Sequence, residues 1–189
     1  ANPVKAKLYT RLPFRHWDTW DGGKRSHLFV WPAGGGTPID VMKGADADSP
    51  PKPFGGAEEF AWSPDGRTIA FTAKISANPA WSTDLSIYLA AADGGGFRCL
   101  TCANEAQDSQ PAFSPDGRTL ACLAMARPLY EADRQRVTLY DLSTGKSRAL
   151  TEAWDRSAES IAWSKDGRKL FVAAEDQARR KIFAVDAAR

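Results

Sequence analysis

Short apolar segments recur along the chain, each cut by a cluster of Ser, Pro, Asp and Gly. No long window carries apolar residues at helical spacing, so the pattern predicts strands joined by tight turns. Three of these turns are near copies: FAWSPDGRTIAF (Phe60–Phe71), PAFSPDGRTLAC (Pro111–Cys122) and IAWSKDGRKLFV (Ile161–Val172). Their serines, Ser63, Ser114 and Ser164, stand 51 and 50 residues apart. In each copy an apolar segment ends in an aromatic residue, Trp62, Phe113 or Trp163. Pro64 and Pro115 preset φ early in the turn, Asp accepts bonds from nearby backbone N–H groups, and Gly66, Gly117 and Gly167 allow positive φ. A second apolar strand follows, which predicts a hairpin.

A second hairpin recurs in step. Ile87–Thr101 matches Val137–Thr151 at an offset of 50, and Leu28–Met42 matches Ile87–Thr101 at an offset of 59. Lys181–Arg189 begins a further copy. Two linked hairpins make a four-stranded antiparallel unit of ~50 residues, the blade of a β-propeller. The expected fold is all-β: a partial propeller of about three and a half four-stranded antiparallel blades with SPDG repeats. The expected map is one partial propeller over residues 1–189. Residues 1–43 hold the outer strands of blade one, 58–102 blade two, 109–152 blade three, and 159–189 an incomplete blade four.

Because strands alternate in direction, the short uniform turns (SPDG, DGGG, STGK) lie on one side of the sheets. The long variable segments lie on the other: Arg15–Arg25, Ala73–Ser86, Ala124–Arg136, Lys43–Glu59 and Cys102–Gln110. Variable loops on a rigid scaffold are where recognition sits, so function is expected on the long-loop side.

Composition narrows the function classes. Against 25 Lys and Arg stand 23 Asp and Glu, a net charge of +2, which gives no support to nucleic-acid binding. The longest apolar run, Leu120–Ala126, is far short of the roughly 20 residues that span a bilayer. No apolar leader is visible at Ala1–Arg11. Neither a nucleic-acid partner, a membrane contact, a cofactor nor a metal is expected. The three cysteines, Cys99, Cys102 and Cys122, form no disulfide framework by count. Cys99-Leu100-Thr101-Cys102 lacks two further ligands for zinc and a helix N-terminus for redox work. Strand alternation points its two thiols to opposite faces, so a local disulfide is the lesser expectation. Cys122 reads as a small buried hydrophobe.

Three long-loop stretches, RLPFRHWDTWDGGKRSHLFV (Arg11–Val30), PAWSTDLSIYLAAADGG (Pro79–Gly95) and ARPLYEADRQRVTLYDLSTG (Ala126–Gly145), resemble bacterial members of the prolyl oligopeptidase family of serine peptidases. They most resemble its dipeptidyl peptidase V and acylaminoacyl peptidase branch. The SPDG repeats alone are shared with propellers of the TolB type. The resemblance implies a propeller that caps a C-terminal α/β-hydrolase domain carrying a Ser-Asp-His triad, with short peptides bound between the two. The chain has no G-x-S-x-G elbow, and its only histidines, His16 and His27, stand early. The chain is therefore expected to be an inactive propeller fragment that gates short peptides for that hydrolase domain. No catalytic residue is assigned within it. The alternative is a non-enzymatic TolB-like propeller that binds a protein partner. A propeller lyase would need histidine or metal-ligand clusters that two early histidines do not supply.

Candidate substrate-binding residues follow from the long loops. Arg15, His16 and Asp18 in RHWDTW are candidates to line the cleft, with Trp17 and Trp20 as an apolar wall. The alternative is packed aromatics with a structural Arg15–Asp18 ion pair. Glu131 and Asp133 in EADR are candidates to hold a peptide's N-terminal ammonium, which would set the cleavage register. The alternative is pairing with Arg134 or Arg136, or with the hydrolase domain. Glu58 and Glu59 read as capping or solvated groups. Trp62, Phe113 and Trp163, alike in each repeat, read as core between blades. Open blade faces at both ends predict self-association of the chain. The compartment is not legible, with periplasmic or secreted favoured over cytoplasmic.

Overall fold

The computed structural model describes residues 3–188; Ala1, Asn2 and Arg189 of the first and last repeats lie outside them. Fifteen strands form in chain order: β1 (Arg15–His16), β2 (Thr19–Trp20), β3 (Phe29–Val30), β4 (Ile39–Asp40), β5 (Phe60–Trp62), β6 (Thr68–Ala73), β7 (Ser86–Ala91), β8 (Phe97–Cys99), β9 (Asp108–Phe113), β10 (Thr119–Ala124), β11 (Arg136–Asp141), β12 (Ser147–Ala149), β13 (Ala158–Trp163), β14 (Lys169–Asp176) and β15 (Arg179–Asp186). Two 3-10 turns, Ala57–Glu59 and Pro79–Trp81, are the only helical pieces among the described residues.

The fold is all-β, and its sheets are successive propeller blades. β5–β6–β7–β8 and β9–β10–β11–β12 are complete four-stranded antiparallel meanders, the second and third blades. β13–β14–β15 is a three-stranded fourth blade, and β3–β4 is what the chain contributes to the first. The hairpin β1–β2, inside the loop expected over Arg15–Arg25, was not anticipated.

The repeated turn explains why each blade starts where it does. Ser63, Ser114 and Ser164 each donate from Oγ to the Asp two residues on, at 2.6 Å. The same Oγ accepts from the backbone N–H five residues on, at 2.9–3.0 Å. Gly66, Gly117 and Gly167 sit at φ +68°, +70° and +69°, where a side chain would be strained. One serine thus closes the turn and starts the next strand.

The outer hairpins carry their own repeat. Thr101 and Thr151, both buried, accept from the Ile87 and Val137 amides at 2.9 Å through Oγ1. That bond continues the ladder beyond the last paired residue of β8 and β12. Thr is needed because a buried amide left without a partner costs ~1–3 kcal/mol.

Three apolar clusters lie between neighbouring sheets. The first packs Val41, Met42 and Ile39 against Ile69, Phe71 and Tyr88. The second packs Ala70, Ile87 and Leu89 against Leu120, Cys122 and Phe113. The third packs Leu123, Val137 and Leu139 against Leu170, Val172 and Trp163. Phe113 and Trp163 lie between blades, as their repeat position implies. Trp62 departs from that expectation and is 48% exposed. Trp163 instead donates from Nε1 to the Ala112 carbonyl on the innermost strand of the preceding blade at 3.0 Å, and among the described residues no such strand stands before Trp62.

Two further expectations are corrected. Cys99 and Cys102 are joined in a disulfide, with Cα atoms 5.8 Å apart. Cys102 lies past the end of β8, where the chain turns, so strand alternation no longer governs its direction. Glu59 is neither capping nor solvated: it is 8% exposed, and its Oε2 accepts from the Gln110 N–H at 3.2 Å. Glu58 does cap, accepting from the Gly56 N–H at 2.9 Å.

Gln110 is the pivot of an inner seam. It bulges out of β9 at φ +53°, where the β9–β10 register shifts. Its side-chain amide donates to the Glu159 carbonyl at 2.9 Å, so Glu59, Gln110 and Glu159 link three successive blades.

Candidate functional site

The long loops on one side are bonded to each other. The Leu129 N–H donates to Thr83 Oγ1 at 2.8 Å, tying the β10–β11 loop to the β6–β7 loop. Lys74, at the exit of β6, donates to the Ser82 carbonyl at 2.6 Å and holds the latter loop from beneath. Burial lowers the Lys74 pKa, against the charges of Asp84 and Glu131, which raise it. On this side Trp81, Leu129 and Tyr130 are 73%, 69% and 46% exposed. The Arg127 guanidinium lies over the Tyr130 ring, 4.2 Å from its centre.

The two carboxylates of EADR have different environments. Asp133 is enclosed: Oδ2 accepts from the Ala126 and Arg127 amides at 2.8 and 2.9 Å, and Oδ1 pairs with the Arg127 guanidinium at 2.7 Å. Burial acts to raise its pKa. The Arg127 side chain and the surrounding amides outweigh this and hold it well below the usual carboxylate range. Asp133 therefore shapes the loop, with Arg127 as its partner rather than Arg134 or Arg136. Those two arginines turn to Glu152. Glu131 is exposed at the loop surface.

Arg15, His16 and Asp18 sit together on the β1–β2 hairpin, all exposed. Arg15 donates to the Trp17 carbonyl at 2.5 Å and lies over the Trp20 ring at 5.8 Å. Among the described residues no Arg15–Asp18 ion pair forms. The His16 ring stands 5.0 Å from Trp17 and edge-on to Phe54 at 5.8 Å, which joins the hairpin to the Lys43–Glu59 segment. Arg25 and Arg11 both bind Asp46, so that segment is clamped from two places. A hollow between Tyr9–Phe14 and Ala77–Trp81 brings the N-terminal stretch against the β6–β7 loop.

The long-loop side thus holds exposed carboxylates at Glu131 and Asp18, an aromatic rim, and a hairpin that presents Arg15 and His16 beside Asp18. Trp81, Leu129, Tyr130 and Phe54 were not singled out from the sequence. The available signal was a large apolar residue in a loop with no strand alternation to bury it. A hollow of about 1020 Å³ lies on the opposite side, between the turns of the third and fourth blades. Its polar walls include Asp116 and Asp166, whose carboxylates are already bound within their own turns. It is a gap between the turns of two neighbouring blades.

Known proteins resemble this chain closely enough to place it. No family model matches it. Dipeptidyl-peptidase 5 of Porphyromonas gingivalis is 32% identical over 184 residues, covering 95% of this chain and 27% of that protein. Dipeptidyl-peptidase 5 of Trichophyton schoenleinii is 35% identical over 204 residues, covering 96% and 28%. The chain therefore spans just over a quarter of the length of these relatives. In structure, a TolB protein of Agrobacterium tumefaciens matches with a TM-score of 0.65 at 21% identity, over 86% of this chain and 52% of that one, which supports the propeller fold. The chain is thus homologous, along nearly its whole length, to just over a quarter of dipeptidyl-peptidase 5, and its fold is a length of β-propeller.

Proposed function

We propose that this chain is the peptide-gating part of a serine exopeptidase of dipeptidyl or acylaminoacyl type. The nucleophile, base and oxyanion donors would lie in an α/β-hydrolase domain outside these residues. The observation that carries this reading is the match to dipeptidyl-peptidase 5 relatives along 95% of the chain. The long-loop side supports it with chemistry suited to a short peptide. Glu131 receives the N-terminal ammonium in a charge-assisted bond. Trp81, Leu129 and Tyr130 offer apolar contact to the first side chains. Arg15, His16 and Asp18 stand on a separate hairpin of the same side and restrict access. Asp133 acts as a positioning residue by holding the Glu131 loop in shape.

The chain alone has no activated nucleophile and is inactive in this reading. The test compares two purified proteins on dipeptidyl arylamides: the gene product containing these residues, and the 189-residue chain. Hydrolysis by the first that is lost on treatment with a serine-directed organophosphorus reagent, and none by the second, is the expected result. Hydrolysis by the chain itself, abolished by that reagent, overturns it.

A further inference from the structure

The turn that leads from the second blade into the third holds groups that the repeat does not require. Cys99 lies opposite Tyr88 as Ala149 lies opposite Thr138, so the two outer hairpins align at an offset of 50. Their backbone bonds agree. Leu100 and Leu150 donate to the Ile87 and Val137 carbonyls at 2.8 and 2.7 Å, and the Asn104 and Trp154 amides donate to the Thr101 and Thr151 carbonyls at 2.9 and 3.1 Å. At the head of the next inner strand, the Asp108 and Ala158 amides donate to the Leu85 and Gln135 carbonyls at 2.7 and 2.9 Å. The third blade follows this course with Ala149 and Glu152 where the second carries the Cys99–Cys102 disulfide. There Arg136 pairs with Glu152, and Arg134 reaches the Thr151 carbonyl. The path of the chain therefore does not require a covalent bond.

The bond is open to exchange. Cys102 is exposed and Cys99 half-buried, and the blades on either side of their turn both have four strands. Exposed disulfides are the labile ones, and closing so short a loop adds little to folding, so the native fold resists its opening only weakly. With no helix N-terminus to acidify a thiol, the pair is an acceptor of exchange rather than a catalyst of it.

What the bond holds leads inward. Thr101 lies within the closed loop and takes the buried Ile87 amide on its Oγ1, while its carbonyl takes the Asn104 amide. Asn104 in turn donates from Nδ2 to Asp108 Oδ1 at 2.9 Å and to the Met125 carbonyl at 3.0 Å. Met125 follows the last residue of β10, at the root of the loop that carries Tyr130 and Glu131. In the third blade the place of Asn104 is taken by Trp154, which packs edge-on against Phe183, so the relay belongs to the second blade.

We propose that Cys99–Cys102 is a reversible thiol–disulfide site, opened in the native protein by a dithiol, whose state sets how tightly the β10–β11 loop is held through Thr101, Asn104 and Met125. A thiolate of the dithiol attacks Sγ of Cys102, and Cys99 leaves as a thiolate that takes up a proton. The second thiol of the reductant then displaces Cys102 and closes its own disulfide. Two electrons and two protons pass from the dithiol to the cysteine pair.

The test treats the gene product containing these residues with dithiothreitol under native conditions, alkylates it with iodoacetamide and maps the label by mass spectrometry. Label on Cys99 and Cys102, and none on the buried Cys122, is expected. Hydrogen–deuterium exchange over residues 126–135 is expected to run about tenfold faster in the reduced protein, as loss of one typical hydrogen bond implies. The equivalent turn of the third blade, residues 152–157, should not change. The double variant Cys99→Ala with Cys102→Ala is expected to show the faster rate with or without dithiol; the wild-type comparison stands without it. Cysteines that stay unlabelled until the protein is denatured overturn the proposal. So does labelling with no change over residues 126–135, or a response to dithiol that persists in the double variant.

Discussion

Asn104 Nδ2 donates to Asp108 Oδ1 at 2.9 Å and to the Met125 carbonyl at 3.0 Å, clasping a fully buried carboxyl at the start of β9. Burial pushes the Asp108 pKa up to about 7, against Asn104, Thr101 and the Arg136 charge, which lower it, while Asp84 adds to the rise. The folded chain therefore holds this proton more tightly than the unfolded chain does. Stability from this group is fully present below the ordinary carboxylate range and is lost as pH rises through about 7. The loss is on the order of a few kcal/mol, at about 1.4 kcal/mol per pKa unit. Urea unfolding at stepped pH from 4.5 to 7.5 is expected to show falling stability, and Asp108→Asn to flatten that slope. An unchanged slope in the variant would assign the pH dependence elsewhere.

The three turn serines have the same bonds but different cover. Ser114 is 4% exposed, whereas Ser164 is only partly buried and its carboxylate and amide partners reach water. Ser114→Ala strands the Thr119 amide, while the exposed Asp116 Oδ1 keeps its bond from the Arg118 N–H, and the change is expected to cost ~1–3 kcal/mol. Ser164→Ala should cost less, since water replaces the lost hydroxyl. Chemical denaturation of both variants checks the order. Equal losses would mean that the turn geometry, not its burial, sets the energy.

Much of the fold is legible because each repeat states its own turn. The Ser-Pro-Asp-Gly run names a hairpin through specific bonds, and its recurrence names the blade. What the sequence hid depends on neighbours. Trp62, Phe113 and Trp163 look alike in sequence, yet among the described residues only Trp163 reaches the backbone of the neighbouring blade, through the Ala112 carbonyl. Glu59 reads as a surface acid until Gln110, from the next blade, meets it. Asp133 and Glu131 are two residues apart, and only the folded loop separates them into one enclosed and one free carboxylate. Local pattern sets the strands; burial of a particular charge is decided by chain that is distant in sequence.

The Cys99–Cys102 bond closes a short loop around Leu100 and Thr101, at the rung where the Leu100 N–H reaches the Ile87 carbonyl at 2.8 Å. The closed loop is small, so its entropic contribution is modest, ~2 kcal/mol. A reducing agent is expected to lower the urea midpoint measurably without unfolding the chain. Cys122 is fully buried, and burial raises its thiol pKa well above the ordinary value. A thiol reagent is therefore expected to find no reactive cysteine in the native, oxidised protein and one after denaturation. Two or more labelled cysteines under native conditions would argue against the bond.

Glu131 and Asp133 give opposite predictions despite their closeness. In the exopeptidase proposed above, Glu131→Gln removes an exposed charge whose interaction among the described residues is its pull on the Lys74 ammonium. It is expected to raise KM for peptides with a free N-terminus about tenfold, as loss of one charge-assisted bond of ~1.5 kcal/mol implies, while thermal stability stays the same. An N-acylated substrate, which has no ammonium, should be unaffected. Asp133→Asn weakens the bonds that the carboxylate makes to Arg127 and the Ala126 amide. It is expected to lower the melting temperature and to impair both substrate kinds alike, because the loop itself loosens. The comparison of free and acylated substrates separates the two roles. Equal effects of Glu131→Gln on both would remove Glu131 from recognition of the N-terminus and leave the aromatic rim as the part of this side that meets substrate.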